Sequence, residues 1–453
     1  MFKALALLVL LAFATPSAQT QTPQSIITNI EAQLAELRKL LGPTVITVQP
    51  TDDVQAIVDT APDGAVIALV GGQSYPSFRV RRPNISLVPA LGSVGRPLVR
   101  SQLFVDSANV TVVGLEIGGA DVNDVVICSQ LASSVVFDGI LVKGSPVTGA
   151  KRGIALNCAN AVVRNSRIEN IWRRGQDSTG IGIWDSPGPI TLEHNWIDAC
   201  SINILIGGVD PSVDGLVPTD ITVFDNDLVK SESYRTAGCN VKNLFELKNA
   251  RNVRVLGNRM KGSWTDGQQG YGVVLTVRNQ DGRCPWCTLE NIQIIGNQIS
   301  DVGAGFNILG LDNIINPRTG VLNASVRAKD FLIENNDLVL CSALFSGAGR
   351  TFYINNGPDT LHLVNNRVTR CAAGGSVNSF LYFDHLAHQL TGLVVQGNLF
   401  QEGSYGIFGQ GASGIGLAAL TAYAPMFTWS NNTVVKYPNG RTIRYPLGTI
   451  IQQ

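Results

Sequence analysis

FELKN (245–249) and LTVRN (275–279) alternate apolar and polar residues, the period of a β-strand, in which successive side chains point to opposite faces. With Phe245 and Leu247 turned to an interior, Glu246 and Lys248 share the outer face. Laying one segment on the other by their polar pattern stacks Thr276 on Glu246 and Arg278 on Lys248. Two cations about 5 Å apart repel unless an anion lies between them. Glu246, or Asp281 from the following VRNQDG turn, supplies one. Such a set could handle a uronate: one cation neutralises the carboxylate while the other, with a lowered pKa, abstracts the α-proton. Glu246, Lys248, Arg278 and Asp281 are therefore the candidate catalytic residues for a β-elimination. The alternative is an exposed salt-bridge ladder, which is common on protein surfaces and stabilises little.

Asp185, Asp210 and Asp312 lie in nearby turns and are the carboxylates that could hold calcium. No other cofactor is implied. Trp172, Arg173, Trp184, Tyr234, Trp264 and Tyr271 put aromatic and charged groups in neighbouring loops. Aromatic faces and guanidinium forks suit sugar rings and uronate carboxylates, so these six are the candidate substrate-binding residues. Their alternative role is to cover the flanks of the fold. Cys284-Pro-Trp-Cys287 has the spacing of a redox motif but sits in a loop, without the βαβ context such chemistry uses. Histidine is scarce, and His385 with His388 makes a weak metal motif.

The elements that must position these residues are announced by a repeat. NVRVLGNRM (252–260), NIQIIGNQI, DFLIENNDL, TLHLVNNRV and GLVVQGNLF share one pattern. The position of Asn258 is filled in turn by Leu115, Ile140, Ser166, Asn195, Asn226, Asn258, Asn297, Asn336, Asn366, Asn398 and Asn432, at spacings of 25 to 39 residues. A fixed register with variable loops is the mark of a solenoid. The repeats are too short and too rich in Gly and Asn for helix pairs, and the shortest fall below the length of a propeller blade. One coil of a parallel β-helix fits, in about eleven to twelve coils, with the recurrent Asn stacked as a ladder that holds tight turns. The two longest repeats lie between Asn258 and Asn336, and long loops on a rigid scaffold are where sites form.

Apolar residues make up 45% of the 453 and charged residues 15%, with 47 glycines; this suits a dry β core and excludes disorder. Formal charge is zero, so nucleic-acid binding through a basic surface has no support. The first 18 residues read as a secretory signal peptide: Lys3, an apolar run from Ala4 to Ala14, then small residues. Its loss would take Lys3 and leave the chain one unit negative. No other stretch is apolar for the length of a membrane span, and the expected location is secreted or periplasmic. Residues 19–43 form an amphipathic helix and linker, and 44–453 the β-helix with its cap. Apolar spacing over 26–41 covers only two heptads, so packing is preferred there to oligomerisation. TDDVQAIVDT places a short helix over 52–60 that can close the open end of the first coil. Eight cysteines in an exported chain suggest disulfides. Cys341 and Cys371 each follow a ladder Asn by five residues, and Cys128 and Cys158 end apolar stretches of neighbouring coils; both pairs should be in bonding range. Cys200, Cys239, Cys284 and Cys287 leave three pairings open.

APDGAVIALVGGQSY, FRVRRPNISLVPALG and SANVTVVGLEI resemble the start of exported bacterial right-handed parallel β-helix proteins of the pectate-lyase-like superfold, from about residue 50 onward. The stretches IGGVDPSVDGLVPTDITVFDND, VKNLFELKNARNVRVLGN and VRNQDG with CPW are similar to a subgroup of no stated activity. The resemblance implies the fold and a range of polysaccharide-directed activities. It implies no particular reaction, because fold alone does not choose one. The polygalacturonase set of Asn-Thr-Asp, Asp-Asp, Gly-His-Gly and Arg-x-Lys is missing. Two function classes follow: an enzyme acting on acidic polysaccharide by β-elimination, and a non-catalytic carbohydrate-binding or cell-surface solenoid.

Overall fold

The computed structural model describes residues 42–316, 319–371, 377–384, 388–411, 414–437 and 441–453. The expected signal peptide, the amphipathic helix over 23–41 with its oligomerisation surface, and His385 lie outside the described residues. Residues 46–453 form one compact unit. It is an all-β, right-handed parallel β-helix of three long sheets with 14, 14 and 13 strands.

One coil shows how the sequence builds it. Asn243–Leu247 lies in the third sheet, Ala250–Leu256 in the first and Arg259–Ser263 in the second, before Tyr271–Thr276 opens the next coil on the third. Each strand pairs in parallel with its counterpart one coil away, as in Val253↔Ile292 and Met260↔Ile299. Alternation turns Phe245, Leu247, Val253, Val255 and Met260 inward, each at most 1% exposed. Burying such side chains is worth about 1.5–3 kcal/mol each before entropy is charged. Inside the solenoid Phe306 stacks on Phe352 at 5.2 Å and Phe380 on Phe400 at 4.4 Å.

The ladder holds the turn between first and second sheets. The backbone N–H of each rung donates to the side-chain oxygen of the next, from Ile140 to Ser166 Oγ at 3.1 Å, through Asn258 to Asn297 Oδ1 at 2.9 Å, to Asn398 and Asn432 Oδ1 at 3.0 Å. The rung Asn does not itself take the left-handed backbone expected of a tight turn. The residue before it does: Asp225 (φ 47°), Gly257 (φ 61°), Asn335 (φ 55°) and Asn365 (φ 53°). The paired Gly/Asn-Asn motif is thereby explained, since Gly, Asn and Asp bear positive φ best and the next Asn spends its amide on stacking. A second, exposed ladder at the first polar position of the motif, where Asn291 Nδ2 reaches Asn252 Oδ1 at 3.0 Å, has the same positive φ.

Three first-sheet strands, Val45–Val48, Val66–Leu69 and Ser86–Pro89, precede the first rung, so the sheets outrun a count taken from the ladder. Helix α1, Val54–Thr60, starts two residues later than its sequence pattern suggests, because Asp53 is the N-cap and accepts from Ala56 N at 3.0 Å. Its Val54 and Val58 are buried against the first coils. At the far end Glu402, whose side chain is wholly buried, accepts from Tyr437 N at 3.0 Å and Tyr445 Oη at 2.8 Å and pairs with Lys436 at 2.5 Å. That one carboxylate anchors the closing segment. Disulfides join Cys128–Cys158, Cys341–Cys371, Cys200–Cys239 and Cys284–Cys287. The first two span neighbouring coils with Cα separations of 5.4 and 5.3 Å.

Candidate functional site

The outer face of the third sheet is flanked by the two sets of longer loops. On one edge the turns 207–218, 277–288 and 310–328 lead into the first sheet. On the other edge the loops 144–149, 172–178, 230–242 and 264–270 arrive from the second. The two longest repeats owe their length to 277–288 and 310–328, which lie side by side.

Glu246 stands on this outer face but is only 2% exposed. Its carboxylate pairs with Lys248 Nζ at 2.5 Å and accepts from Asn243 Nδ2 at 2.7 Å. Lys248 Nζ also donates to Thr276 Oγ1 at 2.8 Å. Asn243 in turn reaches Gln268 Oε1, from the opposite edge loop, at 3.2 Å. Burial pushes the Glu246 carboxyl up, but the Lys248 ammonium and the Asn243 amide outweigh it and hold the group below its ordinary value. Burial lowers the Lys248 ammonium; Glu246 opposes this, while the charges of Arg278 and Lys242 add to it.

The register differs from that of the polar alignment by two residues. Phe245 faces Val273, Glu246 faces Val274 and Leu247 faces Leu275, so Thr276 adjoins Lys248 rather than Glu246. Both registers keep apolar residues inward, since Val273, Leu275 and Val277 are all buried, and a shift of two residues leaves every side chain on its own face. Arg278 is displaced into the turn, where its N–H donates to Lys248 O at 3.0 Å. Its guanidinium pairs with Asp312 at 3.2 Å instead of stacking on Lys248. Arg278, Asp281 and Asp312 line a pocket of about 260 Å³ with Asn279, Asn316 and Asn323. Asn323 Oδ1 is buried there with no hydrogen-bond partner.

The three candidate calcium ligands are held apart by structural duties. Asp312 accepts from Asn279 N at 3.0 Å. Asp210 accepts from Asp281 N and Arg283 N at 3.0 and 2.9 Å, tying 207–218 to 277–288. Asp185 accepts from Ser212 N at 2.6 Å. Among the described residues no three His, Cys, Asp or Glu side chains gather as a metal site.

The candidate binding aromatics divide. Tyr234 and Trp264, 4% and 5% exposed, pack in an apolar cluster with Cys200, Cys239, Cys341 and Phe345 under the edge loops. Tyr271, 2% exposed, stacks on Tyr353. These rings are enclosed, so they cover the solenoid flank and offer no face to a sugar. Trp184 is half-buried beneath Arg152, 5.0 Å from its ring centre. Trp172 and Arg173 line a separate pocket on the second-to-third edge. Asn243 and Gln268 are marked by no local motif, and only the folding of the chain into coils brings them to the Glu246–Lys248 pair. Tyr353, Tyr382 and Phe408 were also missed. They occupy one outward row, with Arg350 lying 3.7 Å over the Tyr382 ring. Their signal is visible in FYIN, LYFD and IFGQ, each an aromatic between two inward apolar residues or a small one.

No family model matches the chain, and no curated protein matches it. Solved structures match along most of its length. A mannuronic acid specific polysaccharide family 6 lyase from human gut microbiota is 14% identical over 87% of each chain, with a TM-score of 0.49. The A-module of the Azotobacter vinelandii mannuronan C-5 epimerase AlgE6 is 13% identical over 89% of this chain and 93% of that one, with a TM-score of 0.45. The tailspike protein of E. coli bacteriophage HK620, in complex with a pentasaccharide, is 14% identical over 90% of this chain and 68% of that one, with a TM-score of 0.46. At such identities the likeness extends to the fold and not to the site.

Proposed function

We propose that this is an exported solenoid that acts on uronate-containing polysaccharide by β-elimination at Lys248 and Arg278. The observation that carries the reading is a buried, charged pair on the outside of the solenoid, where the core has no use for it, beside a polar pocket containing Arg278. Arginine keeps its proton in proteins, so Arg278 is the group that neutralises the uronate carboxylate. Lys248, its ammonium lowered by burial, is the base. It removes the proton α to the carboxylate; that C–H electron pair becomes the new C=C bond as the bond to the glycosidic oxygen breaks. The departing oxygen takes a proton from water, and the hydroxide so formed takes back the proton that Lys248 removed. Glu246, itself held by Asn243, and Thr276 keep the Lys248 side chain in place, and Asp281 lines the adjoining pocket.

Incubation with polygalacturonate and with mannuronate-rich alginate, with and without calcium, followed by ultraviolet absorbance of unsaturated sugar, tests the reading. Lys248→Ala and Arg278→Ala should each abolish product. Lys248→Ala leaves the buried Glu246 carboxylate unpaired and should lower the melting temperature, so the paired variant Lys248→Met with Glu246→Gln, folded and inactive, separates chemistry from stability. A wild-type protein that yields no unsaturated product on any uronate polymer rejects the lyase. A second reading, non-catalytic binding, is favoured by the internal pairing of both cations, Lys248 with Glu246 and Arg278 with Asp312.

A further inference from the structure

The pocket on the second-to-third edge is larger than the one at Arg278, about 550 Å³, within the range that holds a small ligand. It has no role in the reaction proposed above. Three loops build it. The 144–149 loop brings Thr148, the 172–178 loop brings Trp172, Arg173 and Arg174, and helix α2, Tyr234–Ala237, brings Thr236. The connection at Cys200 and Ser201, one coil before α2, is short, and the 230–242 loop bends back across the gap. Gly175 N donates to Gly238 O at 2.8 Å, Lys242 pairs with Asp177 at 2.5 Å, and Cys239 is bonded to Cys200. The wall is thus fixed by a backbone bond, an ion pair and a covalent link.

The lining is arranged for a ligand with both a ring and an anionic group. Trp172 is half-buried, and its orientation is set on two sides. Nε1 donates to Asn170 Oδ1 at 2.9 Å, and the indole edge lies so close to Gly149 that an added Cβ there would stand 2.9 Å from Cδ1. Asp121 is neutralised by Arg173, which also donates to Val122 O at 2.9 Å. Arg174 is exposed, and among the described residues no carboxylate pairs with it. The pocket therefore has one surplus positive charge beside an aromatic face. Thr148 Oγ1 is buried there without a partner and can bond a hydroxyl. Aromatic faces take the C–H side of a sugar ring, and a guanidinium takes a carboxylate through two parallel bonds.

We propose that this pocket is a second saccharide-binding site, which takes an acidic sugar with its ring on Trp172 and its anionic group on Arg174. It does not rest on the lyase reading, since Lys248 and Arg278 belong to the opposite edge of the third sheet. A polymer held here would be kept on the protein whether or not it is cleaved elsewhere.

Affinity electrophoresis of the full chain tests it, in native gels containing polygalacturonate, mannuronate-rich alginate, or neutral dextran. Wild type should be retarded by at least one uronate polymer and not by dextran. Arg174→Glu should weaken that binding about tenfold or more, the scale of one lost charge-assisted contact. Arg254→Glu, the same charge reversal at an exposed position of the first sheet, should leave it unchanged. Trp172→Ala should act in the same direction as Arg174→Glu; because Trp172 also packs against the Cys200–Cys239 cluster, the exposed Arg174 is the safer position. Unchanged retardation in Arg174→Glu overturns the proposal. So do equal retardation by dextran, an equal loss of retardation in Arg254→Glu, and no retardation of wild type by any of the three.

Discussion

Asn297→Ala removes one rung from the middle of the ladder, and its cost can be worked bond by bond. Asn297 is wholly buried. Its Oδ1 accepts from the Asn258 N–H and from Asn258 Nδ2, both at 2.9 Å. Its Nδ2 donates to Val255 O at 3.0 Å, Ile295 O at 3.2 Å and Asn336 Oδ1 at 2.9 Å. Several of these groups keep another partner. Asn258 Nδ2 retains Val223 O and Leu256 O, Ile295 O retains Gly257 N, and Asn336 Oδ1 retains Asn297 N. The Asn258 backbone N–H loses the rung oxygen that alanine cannot replace. A buried donor left unmade costs about 1–3 kcal/mol, and the lost net bonds add a fraction of that, so the expected loss is about 2–3 kcal/mol. Guanidinium unfolding reads the total, and amide exchange at Asn258 reads the local part, which matters because solenoids need not unfold in one step. Asn297→Asp should cost more at neutral pH, since its second oxygen would face Val255 O, Ile295 O and Asn336 Oδ1. A loss under about 0.5 kcal/mol in Asn297→Ala, with the Asn258 amide still protected, would refute the reasoning.

Replacing Cys200 and Cys239 together by serine should lower stability by up to about 4 kcal/mol, the entropy of closing a loop of that size, for a bridge spanning 39 residues; a melting temperature unchanged in reducing and oxidising buffer counts against it. Lys230 is fully buried and donates to Ala199 O, Ser201 O and Asn203 Oδ1, and burial lowers its ammonium from 10.5 to about 7. Between those values the unfolded chain holds a proton that the folded chain has lost, so this residue's contribution to stability rises with pH. The stability of wild type minus that of Lys230→Met should be level below pH 7 and climb above it; a difference that falls across that window contradicts the assignment. Ser166→Asn should stabilise by about 0.5–1.5 kcal/mol by extending the amide ladder to a position where Ser166 Oγ already accepts from Ile140 N, as urea unfolding would detect.

The fold was legible in the sequence because its cause is local and repeated. A rung Asn, a small or polar residue before it and two inward apolar residues sit within nine positions, and eight consecutive copies keep the same order. What the repeat could not convey is which residues of different coils stand opposite one another where loops interrupt it. FELKN and LTVRN look alike from Glu246 and Thr276 onward, yet the strands pair two residues earlier. A period of two repeats itself every second residue, and Val273, Leu275 and Val277 are all apolar and buried, so the local pattern does not choose between registers two residues apart. Tyr234 and Trp264 stand in loops whose own packing the repeat does not encode. Aromatic residues in loops look like sugar platforms until the disulfides beside them show that the loops have cores of their own.

The consequence for function lies in how charge is placed. A slide of two residues separates Arg278 from Lys248 as stacked neighbours and gives each cation its own carboxylate, Asp312 and Glu246. Each pair is then nearly neutral, and the surplus positive charge moves to the other edge, at Arg174. On the two proposals together, a polymer of uronates meets an unshared cation at Arg174, while the Lys248 pair stays buried at the opposite edge of the sheet, two coils further along, an axial offset of about 10 Å. Capture at one edge and chemistry at the other is the division this geometry favours. The two proposals therefore take separate variants: Arg174→Glu should act on retention of the polymer and Lys248→Ala on its cleavage, and a single site would make the two effects move together.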